Sequence, residues 1–251
     1  MYKRQVSANT TAYTFNVDTL DANGALEEGS AAAIAKGVNF SGNDHYLITQ
    51  ALNFDTTNGL TLSAWVLQRD YQIYSAKSFL GIVNIGGGNI SPYYQTLLGY
   101  YKTEKVTAST SIYSPSDPAY PDGTSLNSQG AGFTTGAWHH VAGVYRYDFA
   151  ASNTALKVYV DGALRVNTSI AGRALRPLLD KRVCVGAVTW SPYPDSDPVY
   201  HISGSLDEVR ISKVSRSEAW LKASFQNQKA ADALLEVGRV EPPPGTVIML
   251  R

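Results

Sequence analysis

The chain has 251 residues, 44% apolar and 17% charged, and its 21 basic and 21 acidic side chains balance to a formal charge of zero. That composition suits a globular protein with a sizeable core, and it carries no basic stripe for nucleic acid or an anionic lipid surface. A single cysteine, Cys184, excludes an internal disulfide, and no apolar run is long enough to cross a bilayer. The skew is aromatic, with sixteen Tyr and four Trp against four His. Tyrosine is common in strands and on ligand-binding surfaces, because it joins apolar area to a polar tip.

Taken in chain order, Met1 to Gln5, MYKRQ, resembles translated transposon-adapter sequence. Residues 1–10 are therefore expected to be an assembly artefact or disordered lead, and a leader absent from them says nothing about location. Strand signals follow at 31–40, 45–50 and 59–68, separated by the turn-rich SGND and DTTNG. In the third run Leu60, Leu62, Ala64 and Val66 share one parity, Trp65 and Leu67 the other. Apolar residues on both faces predict a strand central to a two-layer stack. Further strands are predicted over 79–85 and 94–106, on either side of a Gly86–Gly88 turn.

Residues 138–147, AWHHVAGVYRY from its preceding alanine, read as another strand. The clearest hairpin is LKVYVDGALRV at 156–166, where Asp161-Gly162 supplies the two positive-φ positions of a type I′ turn. A strand over 182–188 places Cys184 between two valines as an inert core residue. Residues 204–228, GSLDEVRISKVSRSEAWLKASFQNQ, read as strand, turn and helix. Ser215 and Glu218 have capping-box spacing, which predicts a helix over about 215–229. Leu221 and Phe225, four apart, share a helix face, and a lone helix in a β-rich chain serves to cover a sheet. A last strand is predicted at 233–241, and Pro242-Pro243-Pro244-Gly245 marks a linker or tail.

Strands at this spacing with one helix predict an all-β, two-sheet antiparallel jelly-roll sandwich. The ordered set GLTLSAWV, WHHVAGVY, LKVYVDGALRV and GSLDEVRISKVSRSEAWLKASFQNQ resembles the laminin-G-like jelly-roll domains of the concanavalin A-like lectin/glucanase superfamily. The resemblance covers residues 11–241. It implies two curved antiparallel sheets and a non-catalytic module of a secreted or surface bacterial protein, beside neighbouring domains of a longer parent chain. Relatives bind carbohydrates, proteins or calcium, and the wider fold includes glycoside hydrolases.

Catalytic constellations are missing from the sequence. Glucanases of this fold class carry acids on alternate strand positions, so that two carboxylates flank the scissile bond. No such triplet occurs; Asp207 and Glu208 are adjacent, which on a regular strand turns them to opposite faces. No G-x-S-x-G elbow, phosphate loop or transition-metal spacing occurs either. His139 and His140 are adjacent and cannot share a ligand from one strand, and the family resemblance gives them a structural place.

Two loops stand out for similar content, SPSDPAYPDG at 114–123 and WSPYPDSDPVYH at 190–201. Prolines lower the entropy cost of holding such loops, aromatic faces stack on sugars, and Asp accepts bonds from hydroxyls or ligates calcium. Trp190, Tyr193, Asp195, Asp197, Tyr120 and Asp122 are thus the candidate ligand-binding residues. The competing reading makes both loops rigid connections whose aromatics close the core. The family resemblance also offers Asp207 as a structural calcium ligand with the loop 41–44, against an arginine-paired acid beside Arg210 or Arg216. The tyrosines of 93–101 could form a stacking platform, or simply favour a strand.

The expected function is a non-catalytic binding or adhesion module acting extracellularly on a glycan or a surface protein, with no cofactor required beyond an optional Ca2+. A polysaccharide-degrading hydrolase or lyase whose acids meet only in three dimensions is one alternative. A structural spacer domain is the other.

Overall fold

A computed structural model describes residues 12–14, 21–23, 27–31, 36–42, 45–49, 51–69, 79–86, 96–101, 105–113, 125–132, 134–189 and 200–229. They form two antiparallel sheets. The eight-stranded sheet runs β14 (Ala163–Ala171), β13 (Asn153–Val160), β12 (Trp138–Asp148), β7 (Leu60–Gln68), β17 (Ser203–Ser212), β4 (Lys36–Ser41) and β3 (Glu27–Ala31), with β1 (Ala12–Thr14) also on β17. The nine-stranded sheet runs β11 (Ser125–Gly132), β10 (Lys105–Tyr113), β9 (Thr96–Tyr101), β8 (Phe79–Gly86), β16 (Leu178–Val185), β5 (Tyr46–Ile48) and β2 (Asp21–Asn23). In addition β15 (Ala174–Leu175) pairs with β10 and β6 (Leu52–Phe54) with β16. This is the jelly-roll sandwich that the strand spacing predicts.

Alternation along β7 sets the two layers. Leu60, Leu62, Ala64 and Val66 are buried in the core between the sheets, where they meet Val141 and Tyr145 of β12, Val158 and Val160 of β13, and Leu98 and Val106 of the other sheet. Each fully buried aliphatic side chain contributes roughly 1.5–3 kcal/mol. Tyr145, fully buried, ties the layers together by donating its hydroxyl to the Leu97 carbonyl at 2.6 Å. The other parity of β7 faces outward, yet Thr61, Ser63 and Trp65 are buried as well. Trp65 is covered by helix α1 (Glu218–Lys229), the one helix among the described residues.

Leu221, fully buried, packs on Ala142, Val144 and Tyr159, with Trp220 beside it. One turn on, Phe225 stacks on Trp65 with ring centroids 5.7 Å apart, and the Gln228 side-chain oxygen accepts from the Trp65 indole N–H at 2.8 Å. The shared face of Leu221 and Phe225 is therefore the docking face. The helix starts later than its sequence suggests. Ser217 is the cap: its hydroxyl accepts from the Trp220 N–H at 3.2 Å and its carbonyl takes the first helical bond from Leu221. Ser215 instead donates its own N–H to the Asn58 carbonyl. Thr61 fixes the approach, donating to the Val214 carbonyl at 2.8 Å and accepting from the Arg216 N–H at 2.9 Å. Those contacts hold 214–216 against the sheet, so helical geometry can begin only after them.

Two predicted strands each take in parts of two antiparallel strands. The run 31–40 divides into β3 and β4, with Ala31 opposite Lys36. The run 94–106 takes in β9 and the first two residues of β10, which pair antiparallel with Tyr101 opposite Lys105. Cys184 lies fully buried in β16 with its thiol pushed well up by burial, which leaves it inert. The predicted strand at 233–241 and the terminal segments 1–10 and 242–251 lie outside the described residues.

Candidate functional site

Adjacent histidines on β12 have opposite fates. His139 lies opposite Val66 and His140 opposite Trp65, so they fall on different faces of the sheet. The Asp161-Gly162 turn has φ of 53° and 73°, as a type I′ hairpin requires. That turn brings the Asp161 carboxylate 2.8 Å from His139 Nδ1, while its second oxygen accepts the His140 backbone N–H at 3.0 Å. Burial would raise Asp161, but these bonds prevail and hold its carboxyl below the usual range. His139 Nε2 lies 3.0 Å from the Thr134 hydroxyl. His140 points the other way, under α1 and 3% exposed. The pair shares no ligand and pins a hairpin to its neighbour strand.

The acids of β17 do not follow simple alternation. The strand bulges between Asp207 and Arg210, and Glu208 takes a φ of 50°. The bulge breaks the two-residue period, which corrects the opposite-faces reading of these acids. Asp207 accepts the Glu208 N–H at 2.8 Å, and Glu208 pairs with Arg210. The register sets Ser41 opposite Ser203, four residues before Asp207, which is ~13 Å along a strand. Asn43 and Asp44 of the loop named with Asp207 as calcium ligands lie outside the described residues. Among the described residues no three His, Cys, Asp or Glu side chains are grouped to hold a metal ion.

The outer face of the nine-stranded sheet differs in kind. Register aligns Ser109, Leu97, Asn84 and Cys184 in one row across β10, β9, β8 and β16. Thr107 and Gly99 stand in the next row. This floor mixes polar Ser109, Asn84 and Thr107 with Leu97, Cys184 and Gly99. Ala187 and Val188 lie upon it, since a Cβ at Gly81 would collide with both. The following residue, Thr189, donates to the Asn84 side-chain oxygen twice, from its N–H at 3.1 Å and its hydroxyl at 2.7 Å. The loop after Thr189 thus starts on this face. It returns at Tyr200, whose carbonyl accepts the Gly81 N–H.

Trp190, Tyr193, Asp195, Asp197, Tyr120 and Asp122 themselves lie outside the described residues. The described residues before them differ in place: Tyr113 lies where β10 meets β15, and Thr189 sits two strands away beside β8. Tyr100 is no stacking platform, being fully buried in the core between the sheets. The Asn84 and Gly81 supports escaped sequence reasoning. A lone Asn and a lone Gly inside an apolar strand were their signals.

A family model described as concanavalin A-like lectin/glucanases superfamily, of laminin-G type, matches residues 40–222. The chain belongs to this family. No curated protein matches the sequence. Among solved structures, this laminin-G-like domain is similar to the receptor-binding domain of botulinum neurotoxin C/D mosaic serotype, at 13% identity and a TM-score of 0.58, covering 83% of this chain and 46% of that one. It is similar to the binding domain of Paraclostridial Mosquitocidal Protein 1, at 13% identity and a TM-score of 0.54, covering 82% of this chain and 46% of that one. It also resembles tailspike protein 2 of Escherichia coli O157:H7 bacteriophage CAB120, at 15% identity and a TM-score of 0.53, covering 83% and 27%. The laminin-G-like chain therefore spans under half the length of these structures, and identities this low establish the shared fold. Among the described residues no helix is long and apolar enough to cross a membrane.

Proposed function

We propose that this laminin-G-like domain is a non-catalytic binding module for a glycan, carried by a larger secreted or surface bacterial protein. The observation that carries the reading is the pair of bonds from Thr189 to Asn84. They hold Thr189, the residue before the Trp/Tyr/Asp-rich segment 190–199, on the outer face of the nine-stranded sheet. Aromatic rings suit the apolar faces of sugars, and Asp carboxylates accept hydroxyl bonds, which is the chemistry that segment carries. The neighbours in fold include the binding domain of a mosquitocidal protein and the receptor-binding domain of a botulinum neurotoxin, which agrees with binding as the use of this scaffold. Described acids also have local occupations: Asp161 holds His139, Glu208 holds Arg210, and Asp55 and Asp148 accept backbone N–H bonds in their own turns.

A glycan array probed with and without calcium tests the reading. Binding of a defined glycan class is expected, lost in Trp190→Ala and Tyr193→Ala while their melting temperatures stay unchanged. Binding that survives both substitutions, or release of reducing ends from the bound glycan, overturns it. Calcium is proposed as a structural ion at Asp207, so EDTA should lower the melting temperature; an unchanged value removes the ion.

A further inference from the structure

Helix α1 lies on a histidine whose Nδ1 has no hydrogen-bond partner. His140 is 3% exposed, set edge-on to Trp65 at 5.6 Å and 6.3 Å from Phe225 of the helix. A neutral imidazole is tolerable in such an aromatic enclosure, whereas an imidazolium without water or a facing carboxylate is not. We propose that α1 is an acid-released latch: protonation of His140 lifts Glu218–Lys229 from the eight-stranded sheet while the sandwich beneath stays folded.

The helix is the side that yields. His140 belongs to a central strand paired on both edges, and its neighbour Val141 is fixed in the core between the sheets. Helix α1, by contrast, is held to the sheet by side chains: Leu221, Trp220, Phe225 and the Gln228–Trp65 bond. Elements held this way open locally before the core does.

Charges around the ring do not rescue an imidazolium. Asp161, on the β13–β14 turn, is the near carboxylate, but it is engaged by His139 and by the His140 backbone N–H. On β17, Arg210 adds repulsion and is paired with Glu208, while Asp207 stands opposite Trp65 across the next strand boundary. The helix brings Lys222 beside the Gly162 turn and Lys229 over the Phe225 ring, with Glu218 nearer Tyr159. On β7 Trp65 is uncharged, and on β13 Lys157 lies farther along, opposite Val144. Burial, opposed by Asp161 and reinforced by Arg210, holds the His140 imidazole down to about 4. An uncovered histidine titrates near 6.5, so docking is complete above that pH and is lost as pH falls toward 4. Between pH 8 and pH 5 the docking equilibrium should fall roughly thirtyfold.

Amide hydrogen exchange, corrected for the intrinsic pH dependence, reads this directly. From pH 8 to pH 5 the amides of α1 should lose roughly thirtyfold protection while those of β12 keep theirs. His140→Phe, which keeps the ring and removes the proton site, should abolish the difference. Gln228→Ala, which loosens the helix without touching the ring, should raise the pH of half-release. Should His140→Phe fail to fold, an NMR titration of the wild-type ring must show proton uptake coincident with helix release. Helix and β12 losing protection together, an unchanged pH dependence in His140→Phe, an unmoved midpoint in Gln228→Ala, or a ring that titrates with α1 still protected would each overturn the latch.

Discussion

The outer faces of the two sheets obey the same alternation and end in different states. Across β12 and β7 the eight-stranded sheet presents His140 and Trp65, rings large enough to seat a helix through Phe225. Across β10, β9, β8 and β16 the nine-stranded sheet presents Ser109, Leu97, Asn84 and Cys184. There the chain's own backbone comes down onto the floor at Ala187 and Val188, and Thr189 is caught by Asn84. Side-chain size on the outward parity decides what can lie above. Large rings give a face to fold stability, and small polar residues give one over which a loop can be mounted.

The largest expected effect breaks the first face. Trp65→Ala removes the platform for Phe225 and the donor to Gln228, so it should cost about 3–5 kcal/mol in denaturant unfolding. Glycan binding per folded molecule should stay unchanged, since Thr189, the residue before the candidate segment, is held on the other sheet. A loss of binding at full folding would mean that the two faces are not independent. The matching change on the second face is Asn84→Ala. It strips Thr189 of both bonds and should cost about 1–3 kcal/mol. Its signature is the reverse: binding should fall further than the modest stability loss explains, because the loop has lost its mount. Affinity equal to wild type in the folded fraction would detach the loop from the site.

Much of this contrast is legible in the sequence where the signal is local. Asp161-Gly162 names its own turn, and the spacing of Leu221 and Phe225 names the docking face, because backbone φ and helical period are properties of neighbours. Other features depend on partners far along the chain. Asn84 and Thr189 are 105 residues apart, and nothing near either announces the bond. Glu208 adopts a positive φ without being glycine or asparagine, so no residue type betrays the bulge between Asp207 and Arg210. Tyr101 and Lys105 face each other on antiparallel strands, which periodicity over 94–106 cannot separate from one continued strand.

The smallest expected effect concerns the helix start, where local and distant signals compete. Ser215 with Glu218 satisfies the capping-box pattern, yet Thr61 claims the backbone at Val214 and Arg216, and Ser215 gives its N–H to Asn58. Those three contacts keep 214–216 on the sheet, which leaves Ser217 to cap the helix. Ser217→Ala should therefore lower stability by about 1 kcal/mol. Ser215→Ala keeps the backbone bond and the Cβ that abuts Gly59, so it should stay within about 0.5 kcal/mol of wild type. Thermal melts of the two variants side by side separate the cases. If Ser215→Ala proves the costlier change, the sheet has not displaced the cap, and the helix begins where its sequence pattern places it.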